Sequence, residues 1–240
     1  PTGHDARSIR QDAYREVTIA RPHRKCGRAM SFAAVRLWAG MQQEPSVVDQ
    51  SQVIPANEYQ RERWKNGAGW TRQIVRVPDC DDWDWRLSIA EIERDAPFSL
   101  FPGVERELVL LQGNGLRLRF ENGTTADLQP PHGRIRFAGE EVLSGELLDG
   151  PTHDFNLMWR RDRISAELLH RPLVGSMLFF TEPGITWAIH LLAGQACFDE
   201  ASGLPALCTG DTALLENDEA RQRFVLQGGG ELLAIKLSRL

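Results

Sequence analysis

With 240 residues, 42% of them hydrophobic, and a formal net charge of −5, the chain is long enough for one large or two small domains and is not short of core. Residues 1–30 hold seven Arg or Lys against three Asp or Glu, which leaves about −9 on the rest, and an acidic body excludes the broad phosphate-neutralising surface that nucleic-acid binding needs. No apolar run approaches the roughly 20 residues that span a bilayer, and no apolar signal core is present, so the expected location is the cytoplasm, with no membrane partner.

Cys26, Cys80, Cys197 and Cys208 are widely spaced, with no CxxC pair, and read as reduced, mostly buried thiols.

In chain order, residues 1–30 are basic and aperiodic apart from a short helical pattern at Ser8 to Val17, and are expected to be a disordered leader that is removable without loss of stability. Ser31 to Trp38 alternates loosely as an edge strand, Met41 to Ser51 is a polar connection, and Pro55 to Trp64 suits one or two helical turns. Trp64-Lys65-Asn66-Gly67-Ala68-Gly69-Trp70 turns sharply before the strand Thr71 to Val77. It is not a nucleotide loop, because no GxGxxG or Walker lysine follows. The acidic run Asp79 to Asp84 lacks the Gly and the bidentate Glu of a calcium loop, and reads as a solvated turn.

Trp85 to Ile92, Glu107 to Leu111 and Leu116 to Phe120 read as a meander, with Gln112-Gly113-Asn114-Gly115 as a tight hairpin turn. Leu116, Leu118 and Phe120 alternate with Arg117 and Arg119, so one face is buried and the other wet. Short strands follow at Thr124 to Leu128, Arg134 to Phe137, Val142 to Leu148 and Phe155 to Trp159, the last with Asn156 and Met158 opposite its apolar face. After a charged break at Arg160 to Arg163, strands resume at Ile164 to Leu169, Ser176 to Thr181, Thr186 to Ala193, Gln195 to Phe198, Gln222 to Gln227 and Glu231 to Leu237. Gly228-Gly229-Gly230 reads as the turn between the last two. The expected class is all-β.

Four separated blocks, Arg63 to Thr71, Trp85 to Ala90, Phe98 to Gly103 and Asp154 to Met158, together resemble the HutD/Ves family. The resemblance implies two cupin barrels in one chain, a bicupin, with residues 31–160 as the N-terminal barrel, 161–240 as the C-terminal one, and strand exchange between them left open. It also implies a tie to histidine utilization.

Metal-dependent cupins use a His-x-His pair, a Glu and a distant third His. Here the corresponding stretch is Pro102 to Leu108, without His, and the six His are scattered with no two at ligand spacing. A barrel with no metal, no cofactor and no catalytic residues is expected, stable in chelator. His190 reads as a satisfied core residue, and Glu91 and Glu93 as solvated charges.

What remains is a polar set: Arg86 and Ser88 on one strand face, Arg106 at a barrel mouth, Asn156, and Lys65 with Asn66 on the Gly-rich loop. In a closed barrel these would converge on a small anionic metabolite, because a guanidinium fork meets a carboxylate and an amide supplies both donor and acceptor. The resemblance makes urocanate or a formyl- or formimino-glutamate the candidates, with modulation of histidine utilization as the role. The alternative is a metal-independent isomerase or hydrolase of a small carboxylic acid. A homodimer is left open.

Overall fold

The computed structural model describes residues 51–240, and the readings made for residues 1–50 lie outside them. The strands are β1 (Gln52–Ile54), β2 (Gln60–Arg63), β3 (Gly69–Val77), β4 (Trp85–Ile92), β5 (Ala96–Pro97), β6 (Val104–Gln112), β7 (Leu116–Phe120), β8 (Thr125–Leu128), β9 (Arg134–Ala138) and β10 (Leu143–Leu147). They continue with β11 (Thr152–Arg160), β12 (Ile164–Thr181), β13 (Ile185–Phe198), β14 (Leu207–Cys208), β15 (Thr212–Leu215) and β16 (Gln222–Arg239). Within Pro55 to Trp64 a single helical turn forms, the 3-10 turn Ala56–Glu58, and Gln60–Arg63 is already strand β2. Among the described residues no helix is long and apolar enough to cross a membrane.

Three sheets form. The central one runs β2-β3-β4-β11-β6-β9, a small one runs β5-β10-β7-β8, and a C-terminal one runs β1-β15-β13-β16-β12 with β14 beside β13. The central sheet is covered on both faces. One face packs Trp85, Leu87, Ile89, Phe155, Leu157 and Trp159 against Ile164, Leu168, Leu233, Ile235 and Leu237 of the C-terminal sheet. The other turns Ile92, Leu108 and Leu110 toward Leu116, Leu118 and Leu143 of the small sheet. Burial on both sides explains why Leu108 to Leu111 is a continuous apolar run instead of an alternating one.

The meander is overturned. β4 and β6 are separated by β11, which pairs antiparallel with both, and β7 belongs to the other sheet, between β10 and β8. The Gln112 to Gly115 segment therefore turns a corner between sheets and closes no hairpin. Its positive-φ residues are Gly113 and Gly115, at 103° and 136°, and a side chain at Gly113 would meet the Pro151 carbonyl. The alternation of β7 does hold: Leu116 and Leu118 are fully buried, while Arg117 and Arg119 reach across the outer face to Asp127 and Glu146.

Gly228-Gly229-Gly230 is no turn either. It lies inside the unbroken β16, paired on one side with Leu173 to Gly175 and on the other with Gly194 to Ala196. A Cβ at Gly230 would collide with the Ala193 carbonyl, and one at Gly194 with that of Gly229. The glycines let three long strands bend together, so each expected strand pair in this half is one strand.

β1, from the first half of the chain, pairs with β15 at the edge of the C-terminal sheet. Among the described residues Cys80, Cys197 and Cys208 form no disulfide, but Cys197 and Cys208 are exposed and not buried. The acidic run is tied down through Asp82 and Asp84, both of which bind Arg163.

Candidate functional site

Because odd-numbered residues of β4 and β11 face the C-terminal sheet, their even-numbered neighbours face the small sheet. The register then stacks three rows on that inner face. Arg86 and Arg106 flank Met158, Ser88 and Leu108 flank Asn156, and Ala90 and Leu110 flank Asp154. The two arginines thus stand on strands either side of β11, with α-carbons about 10 Å apart by strand spacing.

Arg106 is 5% exposed, so it is buried and not at an open mouth. Its guanidinium carbon lies 5.0 Å from the Phe98 ring centre, 5.1 Å from Phe137 and 5.6 Å from Phe101. Among the described residues its one hydrogen bond is a long one, 3.4 Å from Nη1 to the Ser99 carbonyl, and Nε has no partner. Burial, with the Arg86 charge added, pushes its pKa down to about 9. Arg86 is lowered for the same main reason, with Arg76 adding to the shift, and its Nε is also unpartnered. Among the described residues neither arginine has a carboxylate within ion-pair distance.

Two acceptors complete the face. The Asn156 and Asp154 Oδ1 atoms are both buried without a hydrogen bond among the described residues. Burial pushes the Asp154 carboxyl up to about 7, opposed by the Thr152 hydroxyl, which donates to its Oδ2 at 2.7 Å. The sequence reading missed Asp154, although its i, i+2 relation to Asn156 within an apolar strand was the available signal.

Of the six residues expected, Arg86, Ser88, Arg106 and Asn156 come together. Lys65 and Asn66 do not join them. They are exposed on the loop between β2 and β3, whose Gly69 pairs with Ile92, six residues along β4 from Arg86 and so about 20 Å away. Asn66 Oδ1 accepts from the Ala68 amide at 3.0 Å and shapes the loop.

Other polar groups are spoken for. Glu91 is not solvated: it is 8% exposed and held by Arg61 at 2.6 Å and Arg72 at 2.8 Å. Glu93 is exposed and pairs with Arg63. Buried Glu107, on the face toward the C-terminal sheet, is bound by Arg136. His190 is a satisfied core residue, 3.0 Å from the Thr212 hydroxyl, which in turn is 2.7 Å from that of Tyr59, and burial lowers its pKa to about 4.

The family model for HutD matches residues 56–234. The chain belongs to the HutD family. It is 40% identical over 123 residues to an uncharacterized 21.2 kDa protein from the hutC 3′ region of Pseudomonas putida, an alignment that spans 50% of this chain and 64% of that one. The solved HutD of Pseudomonas fluorescens SBW25 superposes with a TM-score of 0.69 at 28% identity, covering 79% of this chain and 99% of that one. The bacterial pirin YhhW of Escherichia coli, 11% identical with a TM-score of 0.59 over 80% of this chain and 100% of its own, shares the fold alone. The HutD-family chain is all-β and cupin-like.

Proposed function

We propose that the inner face of β4, β11 and β6 binds a small anionic metabolite and that the protein acts by holding it, within an N-terminal cupin barrel packed on a second, C-terminal cupin-like unit. The observation that carries this reading is the pair Arg86 and Arg106: two neighbouring, largely buried guanidinium groups without a carboxylate partner among the described residues. An unpaired buried cation costs several kcal/mol, and a ligand carboxylate that binds both forks offsets that cost. The orphaned Asn156 oxygen lies one row further along the face and asks for an N–H donor, and Asp154 Oδ1, two rows along, accepts from such a donor when its carboxyl is ionised. The ligand class is therefore a carboxylic acid with an N–H group a few ångströms away. Urocanate and formyl- or formimino-glutamate have that form, and the relative from the hutC 3′ region supports a role in modulating histidine utilization.

The segment Phe98 to Gly103 covers Arg106, so binding requires it to move. A second reading, turnover of the same acid without a metal, rests on Asp154, which exchanges its proton near neutral pH. Calorimetric titration with the three acids, followed by NMR of the recovered ligand, separates the two. Saturable binding with an unchanged ligand supports holding, a changed ligand supports turnover, and no heat with any of them refutes both.

A further inference from the structure

His132, His170 and Glu231 are far apart in the chain, yet the fold gathers one ligand atom from each within 4.8 Å of one another. His132 comes from the loop between β8 and β9, His170 from β12 and Glu231 from β16. The group sits at the seam between the N-terminal sheets and the C-terminal sheet, away from the arginine face. The Oε2 atom of Glu231 is 3.4 Å from Nε2 of His132 and 3.2 Å from Nε2 of His170.

The proton inventory of His132 is the telling feature. Its Nδ1 lies 3.2 Å from the Leu110 carbonyl, which can only accept, so Nδ1 carries the hydrogen. In the neutral ring Nε2 is then a bare lone pair aimed at a carboxylate oxygen. That opposition is relieved by a second proton, which makes the ring an imidazolium, or by a metal ion bound between the two. Metal-bound histidines show this arrangement: the far nitrogen donates to a backbone carbonyl, which fixes the tautomer and ring orientation. His132 is also held in place by its backbone, with φ of 55°, the one non-glycine residue at positive φ among the described residues.

We propose that His132, His170 and Glu231 form a binding site for a divalent transition metal of the zinc, cobalt and nickel class. Two imidazoles with one carboxylate suit these ions over magnesium or calcium, which prefer oxygen, and over copper(I), which prefers sulfur. In a tetrahedral site with bonds near 2.0–2.2 Å, ligand atoms stand roughly 3.3 Å apart, close to the two separations seen here. The fourth position opens on a surface pocket of about 390 Å³ lined by His132, His170, Leu169, Arg134 and Arg171. Water or a small anion steered by the two arginines fills it. The ion joins the loop after β8 to two strands of the C-terminal sheet, so it acts as a clip across the seam.

The test uses the full chain, stripped with chelator and dialysed, with zinc for calorimetry and cobalt(II) for visible absorption. One metal per chain, a tetrahedral cobalt spectrum and a zinc-induced rise in Tm are expected. His170→Ala and Glu231→Gln, both at partly exposed positions, should keep the apo Tm within a few degrees and weaken zinc at least tenfold. The absence of saturable 1:1 binding overturns the proposal. So does unaltered affinity in both variants, which assigns the metal to other residues, such as His4, His23 and Cys26. A Tm loss in the variants without any metal binding leaves an ordinary imidazolium–carboxylate bridge and overturns it too.

Discussion

At the level of single residues, the inner face holds two groups with opposite titration problems. Arg106→Met should abolish the anchoring of a carboxylate while leaving the fold intact, since it replaces a cation caged by Phe98, Phe101 and Phe137 with an apolar chain of similar length. A charge-assisted hydrogen bond contributes about 1.5–3 kcal/mol, so affinity for the best of the three acids should fall roughly tenfold to 150-fold. Arg106→Lys should recover only part of it, because a point charge cannot replace the fork. Calorimetry and melting on one preparation decide this: full affinity in the Met variant ends the anchoring role. Asp154 gives a pH signature. Its folded pKa of about 7 lies above the usual 3.8, so between those values the native state holds a proton that the unfolded state has released. The group's contribution is favourable below about pH 4 and is lost as pH rises toward 7, by up to about 4 kcal/mol. His190, lowered to about 4, runs the other way as pH falls below 6.5, so the whole-protein profile hides the effect. The difference between wild type and Asp154→Asn exposes it. The variant should gain stability relative to wild type as pH rises from 4 to 7, and a flat difference in denaturant midpoint across that range would show that Asp154 is ionised throughout.

At the level of elements, the sequence made strands legible and their partners illegible. β4, β7 and β11 stand close to where alternation and β-branched or aromatic content put them, because those signals are local. The pairing of β4 with β11 across some 60 residues leaves no local trace, and a Gly-x-Gly corner between sheets looks the same as a hairpin turn. The site was legible to the same degree. Arg86, Ser88 and Asn156 share a face because period-2 alternation says so. Lys65 and Asn66 were misplaced because a loop's position depends on which strand end it caps. His132, His170 and Glu231 have no spacing signal, since their approach depends on sheet packing. The glycine corner of β13 and β16 carries a prediction of its own. Gly230 sits at φ of 136° and Gly194 at 90°, each with a partner-strand carbonyl where a Cβ would go. Gly230→Val should cost more than about 3 kcal/mol, through positive-φ strain and loss of ladder bonds together. Gly175→Ala, at a φ of 80° with open space around it, should cost only about 1 kcal/mol. Chemical denaturation of the pair measures the difference, and equal losses would remove the close-approach argument.

For the whole molecule, the question is whether the halves on either side of residue 160 behave as separate folding units. The core between the central and C-terminal sheets argues against that. It contains Leu87, Phe155 and Leu157 from one side and Leu233, Ile235 and Leu237 from the other, all at most 2% exposed. β1 adds a covalent crossing, since it leaves the first half to pair with β15. Phe155 is the sharpest probe, being fully buried on β11 with its ring 5.1 Å from that of His190 in β13. Truncating such a side chain costs about 3–5 kcal/mol through lost burial and the cavity left behind. If the shared core couples the halves, Phe155→Ala should move a single cooperative transition to lower temperature, with near- and far-ultraviolet dichroism changing together. Independent halves would instead split the melt, the C-terminal sheet keeping its wild-type midpoint while the N-terminal sheets unfold earlier. Leu118→Ala is the internal comparison. It lies in the other core, between the central and small sheets, far from the C-terminal sheet, so a single transition for both variants extends the coupling across all three layers. A split for Leu118→Ala alone confines the coupling to the core that Phe155 occupies.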